Sequence, residues 1–168
     1  MVLHLRYTAR EGGLALRSAA VEALRARIAA ALAVGSIRLL SVRHEFPTEW
    51  ARFTSSTPAG EPPTAPLTLT LREEHYPYWA RLTADRVLHA VELFASAGDE
   101  DVAVYDAAAD DPPGSRHETL LRTDPSVGGL RSGLLAEPLP AALGSWTLNL
   151  ADTAITDLWI ALTWGAPI

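Results

Sequence analysis

Two segments of this 168-residue chain place imidazoles, carboxylates and aromatic rings close enough together to do chemistry. In "VRHEFPTEWARF", His44, Glu45 and Glu49 offer the ingredients of a metal or acid/base site. A zinc peptidase needs two histidines four apart on one helix face, however, and position 48 is threonine, while Pro47 breaks the helix such a motif requires. The segment reads better as structure: Phe46, Trp50 and Phe53 anchor a short helical turn, and Arg43 and Glu49 stay partly solvated. In "REEHYPYWARL", Tyr76, Tyr78 and Trp79 stand beside Glu73, Glu74 and His75. Aromatic faces with acidic neighbours suit the apolar face of a sugar ring and its hydroxyls. Adjacent carboxylates at a strand end point to opposite faces, which does not fit the facing pair a glycosidase uses. Binding by Tyr76, Tyr78, Trp79 and Glu74 is thus the reading of this segment that survives, set against ordinary interface or edge packing.

The remaining polar clusters carry less. "GDEDVAVYDAAADDP" gathers Asp99, Glu100, Asp101, Asp106, Asp110 and Asp111, but without the spaced ligands and central glycine of a calcium loop. A solvated acidic edge that discourages sheet association accounts for it. His4, His44, His75, His89 and His117 lie in separate segments, and no zinc site can be assembled from them. There is no G-x-S-x-G elbow, and "SVGGLRSGLL" lacks both P-loop spacing and a lysine. The expectation is a protein without catalytic residues, cofactor or metal.

The elements that would position these residues follow from the hydrophobic pattern. Leu14, Val21, Leu24, Ile28 and Leu32 recur at helical spacing from Leu14 to Val34, with Arg17, Glu22, Arg25 and Arg27 read as lying off that stripe and Gly35 as the stop. This predicts one long amphipathic helix packed on a sheet. Beyond Ser36 come short alternating runs divided by proline and glycine: "SIRLLSVRHEF", "LTLTL", "RVLHAVELFAS" with Val87, His89, Val91 and Leu93 on one face, "DVAVYD", "ETLLRT", "SGLLAE", "SWTLNL" and "TDLWIALTW". Such a series predicts a mainly β fold, an antiparallel β-sandwich of jelly-roll-like kind with the N-terminal helix laid on it. Residues 54–66, "TSSTPAGEPPTAP", read as a flexible loop rich in proline, serine and threonine. The two ends are alike, Leu3, Leu5 and Tyr7 matching Ile160, Leu162 and Trp164 as inward residues of equivalent strands.

Composition bounds the class. A chain of this length that is 48% hydrophobic fits a single domain spanning 1–168 with a core of ordinary size. It has no cysteine, so burial alone must stabilise it. All 14 basic residues are arginine, and the net charge of −6 without a basic stripe argues against nucleic acid. No 18-residue apolar run marks a membrane span and no leader of its own is expected.

Several of these segments together resemble a family. "LHLRYTAREGG" resembles the strand that closes the TcB-binding region near the C-terminus of the A subunits of Tc insecticidal toxin complexes, and "RLLSVRHEFPTEWARF", "LTLTLREEHYPYW" and "DLWIALTW" resemble an extension beyond it. In that family the A subunit forms a pentameric translocation channel whose C-terminal region helps hold the TcB and TcC cocoon. The resemblance implies a C-terminal piece of a larger bacterial toxin-like protein, secreted as part of it. It further implies an assembly module docking toxin subunits or upstream domains of its own chain. The alternative is a carbohydrate- or receptor-binding module using the exposed aromatics.

Overall fold

The computed structural model describes residues 12–82, 85–98, 100–109 and 114–167. The opening strand expected over residues 2–8, with Leu3, Leu5 and Tyr7, lies outside the described residues, as do Asp99, Asp110 and Asp111. The fold is mainly antiparallel β: eight strands in one curled sheet, preceded by a helix. Helix α1 covers Gly13–Val34, strand β1 Ser36–Ser41, short helix α2 Val42–Glu45 and α3 Pro47–Thr54. Then follow β2 Ala65–Leu71, β3 Val87–Ser96, β4 Val102–Tyr105, β5 Glu118–Asp124, β6 Leu130–Leu134, β7 Gly144–Leu150 and β8 Asp157–Gly165. Single 3₁₀ turns lie at Glu73–His75, Tyr78–Leu82 and Pro125–Val127.

The strand order is β1-β8-β3-β6-β5-β4-β7-β2, with every pairing antiparallel. The two edge strands, β1 and β2, are therefore neighbours in sequence and opposite in space. What joins them is α2 and α3, which must cross the open side of the curl. Pro47 stands in the first turn of α3, where its missing N–H costs nothing and its fixed φ starts the helix. This crossing turns Val42, Phe46, Trp50 and Phe53 inward onto Leu67, Leu69 and Leu71 of β2 and Leu158, Ile160 and Leu162 of β8, all of them buried. The concave face is the core, and the crossing helices plug it.

Strict alternation sets which residues face in. Along β8, Leu158, Ile160, Leu162 and Trp164 are buried while Trp159, Ala161 and Thr163 face out, as the alternating reading of its apolar members requires. Thr156, read with Asp157 as the turn before this strand, does precede it and bonds the Ser96 carbonyl at the end of β3 through both its N–H and its hydroxyl. Asp157, by contrast, is already the first residue of β8. In β3 the expected face is only half right. The register with β8 slips between Leu88 and Ala90, so Leu88, Val91 and Leu93 are buried and Val87 is exposed. A bulge at His89 inserts one residue and reverses the phase before it. At Gly133 the strands come so close that a Cβ would stand 2.7 Å from Leu121 Cδ2 and 3.0 Å from the Leu120 carbonyl oxygen, so a side chain there would require β5 to shift. The segment 54–66 has order of its own: Ala59 and Thr64 exchange two backbone hydrogen bonds of 2.9 and 3.0 Å, and Thr64 is buried.

The largest departure from expectation is α1. Leu14, Val21 and Leu24 do not pack on the sheet; Leu14 is 80% exposed and Leu24 60%. Only Ile28 of the expected stripe packs against the core, the Leu32 side chain lying outside the described residues. At 100° per residue Arg17 falls within the stripe between Leu14 and Val21, and alanines occupy the other faces, so no single side is decisively apolar. Among the described residues no helix is long and apolar enough to cross a membrane.

Candidate functional site

The aromatic segment after β2 is built around Arg86. Arg72 and His75 hold the 3₁₀ turn closed: His75 N donates to the Arg72 carbonyl and Arg72 N to His75 Nδ1, at 3.0 and 2.9 Å. The turn delivers Tyr76 into the interior, where its hydroxyl donates to the Ala142 carbonyl. Tyr76 meets Trp164 edge-on at 5.2 Å between centroids, and Trp79 lies tilted against the same indole at 5.3 Å. The Arg86 side chain, 3% exposed, sets its guanidinium 4.7 Å over the Tyr76 ring. It donates through Nη2 to Glu73 Oε2 at 2.7 Å and to the Ala80 carbonyl at 3.2 Å. Burial pushes the Tyr76 hydroxyl up to about 12; the nearby Glu73 carboxylate adds to the rise and Arg86 opposes it.

Of the four residues expected to bind a ligand, two are thus committed to packing. Tyr76 is buried and Trp79 half-buried against Trp164. Tyr78 is 80% exposed, and Glu74 lies in solvent, 3.6 Å from Arg72. The four form no shared concave platform. Tyr78 and Trp79 instead line an apolar groove of about 370 Å³ against Leu24, Arg27, Ile28 and Ala31 of α1. Those helix positions share one face by i, i+3, i+4 and i+7 spacing. Across this open groove only Ile28 of the helix is partly buried against the core.

The other polar candidates are also held in structural roles. Glu45 accepts from Arg38 Nη2 at 2.6 Å and from Ser41 N at 3.0 Å, tying β1 to α2. The Phe46 ring stacks on His75 at 4.8 Å. His89 sits on the β3 bulge, 2.9 Å from the Ala166 carbonyl. Within the acidic run, Asp106 receives the His117 backbone N–H at 2.8 Å and approaches its ring Nδ1 at 2.6 Å. Burial raises the Asp106 carboxyl, but these hydrogen bonds and the His117 charge outweigh it and hold the group below its usual range. Among the described residues no group of three or more histidines and carboxylates is placed to hold a metal.

A second apolar surface lies on the outer face of the sheet. Phe94, Trp159 and Ala161 form its floor, Ile37 and Leu39 of the edge strand one wall, and Val127 and Leu130 beside the β5–β6 turn the other, enclosing about 420 Å³. Ile37 is 73% exposed. Cross-strand register explains the cluster: Phe94 pairs with Trp159, and Leu39 with Ala161. The sequence carried a signal for it. An antiparallel strand with one solvated face should alternate apolar and polar, whereas "LWIALTW" is apolar at nearly every position.

Comparison of the chain with known protein families, curated proteins and solved structures finds no match, so the resemblance to the Tc A-subunit region rests on the quoted segments alone.

Proposed function

We propose that this chain is a non-enzymatic assembly module that holds protein partners through apolar surface, in the manner expected of a Tc A-subunit-like C-terminal region gripping TcB- and TcC-like subunits. In this reading the curled sheet is a half-open relative of a jelly-roll sandwich, with its inner face closed by α2 and α3 and its outer face left for assembly. The observation that carries it is α1. Leu14, Leu16, Val21 and Leu24 all stand in solvent, although burying each would stabilise by about 1.5–3 kcal/mol. Gly12 makes no side-chain cap and the first turn has no acidic residue to meet the helix dipole. An uncapped, unpacked helical arm is marginal in water. A partner that covers these leucines supplies what the chain itself does not.

The carbohydrate reading loses support from the packing of Tyr76 and Trp79 on Trp164, which leaves Tyr78 as its one well-exposed ring. The test is co-elution with a purified TcB–TcC cocoon at micromolar concentration. A complex that disappears on combining Leu14→Glu with Leu24→Glu supports the reading. A chain that elutes unretained removes the toxin assignment.

A further inference from the structure

We infer that the groove on the outer sheet face receives the N-terminal half of α1 from a second copy of this chain, so that two copies exchange helical arms. The inference rests on α1 being a docking element and adds the receiving surface and the occupant. Among the described residues two apolar surfaces are of complementary shape: the solvent-facing leucines of α1, and the groove floored by Phe94 and Trp159. The first is a helix face and the second a trough, the pairing used when an amphipathic segment lies in a groove.

The arm cannot fill its own groove. A single residue, Gly35, separates α1 from β1. Connections that lay a helix back over a sheet use about 2–6 residues. Gly35 also has φ of +86°, and a Cβ there would stand 3.3 Å from Thr163 Cγ2, so the link is both short and restricted. It directs the C-terminal half of α1 toward Tyr78 and Trp79, where Ile28 is partly buried and Leu24 and Ala31 face an open groove, and leaves Gly13 to Val21 exposed. Short hinges of this kind favour exchange between copies. The dimensions agree: nine helical residues span about 13 Å at roughly 1.5 Å each, and the strands β1 to β6 that carry the groove span three spacings, about 14 Å.

Charge favours the same occupant. In the docking half, Gly13 to Val21, Arg17 is the one charged residue, a net +1, and the chain total of −6 leaves the remainder at −7. Around the groove Glu92, Asp124 and Asp157 stand against Arg43 and Arg122. A cationic arm approaching this anionic body is drawn in, where a second anionic surface would be repelled. Reciprocal docking gives a closed two-fold assembly in which each arm meets one outer-face groove.

Sedimentation velocity on the full chain tests this, and a species of twice the 18.0 kDa chain mass is expected at tens of micromolar. Leu14→Glu in the arm, and separately Leu39→Glu or Ile37→Glu in the groove, should each shift the population to monomer. All three positions are solvent-facing, so far-UV circular dichroism and melting temperature should hold. Mixing an arm variant with a groove variant should restore heterodimer, since one intact arm then meets one intact groove. A wild-type chain that stays monomeric overturns the inference. So does a dimer that survives both groove variants, or a mixture that forms no heterodimer. A chain that dimerises yet ignores the cocoon keeps the inference and loses the toxin assignment; one that captures the cocoon but remains monomeric does the reverse.

Discussion

The two ends of the curled sheet share an interior and differ outside. At the β2–β7 end the outer face is a ladder of hydroxyls: Thr68 meets Thr147 at 2.8 Å and Thr70 meets Ser145 at 2.7 Å. At the β1–β8–β3 end the equivalent positions are Ile37, Leu39, Phe94, Trp159 and Ala161. Both ends bury the same kind of inner row, Leu67, Leu69 and Leu71 on one and Leu158, Ile160 and Leu162 on the other. The polar end shows that this sheet needs no apolar residues outside. The apolar end is where the proposed assembly surface lies.

One strand provides the sharpest way to break that contrast. Trp164 and Trp159 both belong to β8, one facing in and one out. Trp164→Ala removes the ring that Tyr76 and Trp79 pack against, and should destabilise by about 3–5 kcal/mol in urea denaturation. Trp159→Thr should change the stability of the isolated chain by within about 1 kcal/mol, as surface substitutions do, while lowering association and hydrophobic-dye binding. Equal costs for the two would mean that the outer tryptophan is a fold residue and that the two ends do not differ in purpose.

The inner face was legible in the sequence because alternation encodes it directly. "LTLTL" gave β2 with Leu67, Leu69 and Leu71 facing in, and Pro47 marked the start of α3. The β3 phase was not legible before Val91, since a bulge at His89 depends on the partner strand. For α1 the pattern showed where a helix would be but not whether anything covers it: a stripe of leucines predicts burial equally against its own sheet or another chain. The site residues failed to converge for a related reason. Tyr76, Tyr78 and Trp79 are close in sequence, but the turn sends the first inward onto Trp164 and leaves the second outside. Arg86, which organises the cluster, comes from beyond the turn and has no local motif.

That cluster separates packing from binding on a smaller scale. Tyr76→Phe keeps the ring against Trp164 and Arg86 but deprives the Ala142 carbonyl of its donor. Leaving a buried acceptor unsatisfied should cost about 1–3 kcal/mol, read as a lower denaturation midpoint with unchanged slope. Tyr78→Phe, at an exposed position, should leave the midpoint within about 0.5 kcal/mol of wild type. If Tyr76→Phe proved neutral while Tyr78→Phe cost stability, the assignment of the two rings to interior and surface would be reversed.

The smallest expected effect concerns the polar end and its response to pH. Asp106 follows β4 and is held below its ordinary 3.8 because the hydrogen bonds and charge from His117 outweigh the rise that burial would cause. A carboxyl whose folded value lies below its unfolded one contributes stability that is complete above the unfolded value. That contribution is lost as pH falls through the folded value. Acidification from pH 5 toward 2 should therefore loosen the β4–β5 connection, and Asp106→Asn should flatten that part of the stability profile. The pair is partly exposed, so the loss should be under about 1 kcal/mol after screening by solvent. Hydrogen exchange at Asp106 and His117 should accelerate in step with it, while the amides of β8 beneath the outer groove stay protected, since Leu158, Ile160 and Leu162 there titrate with nothing. Protection lost first in β8 would place the acid-sensitive contact at the apolar end and undo this division of the sheet.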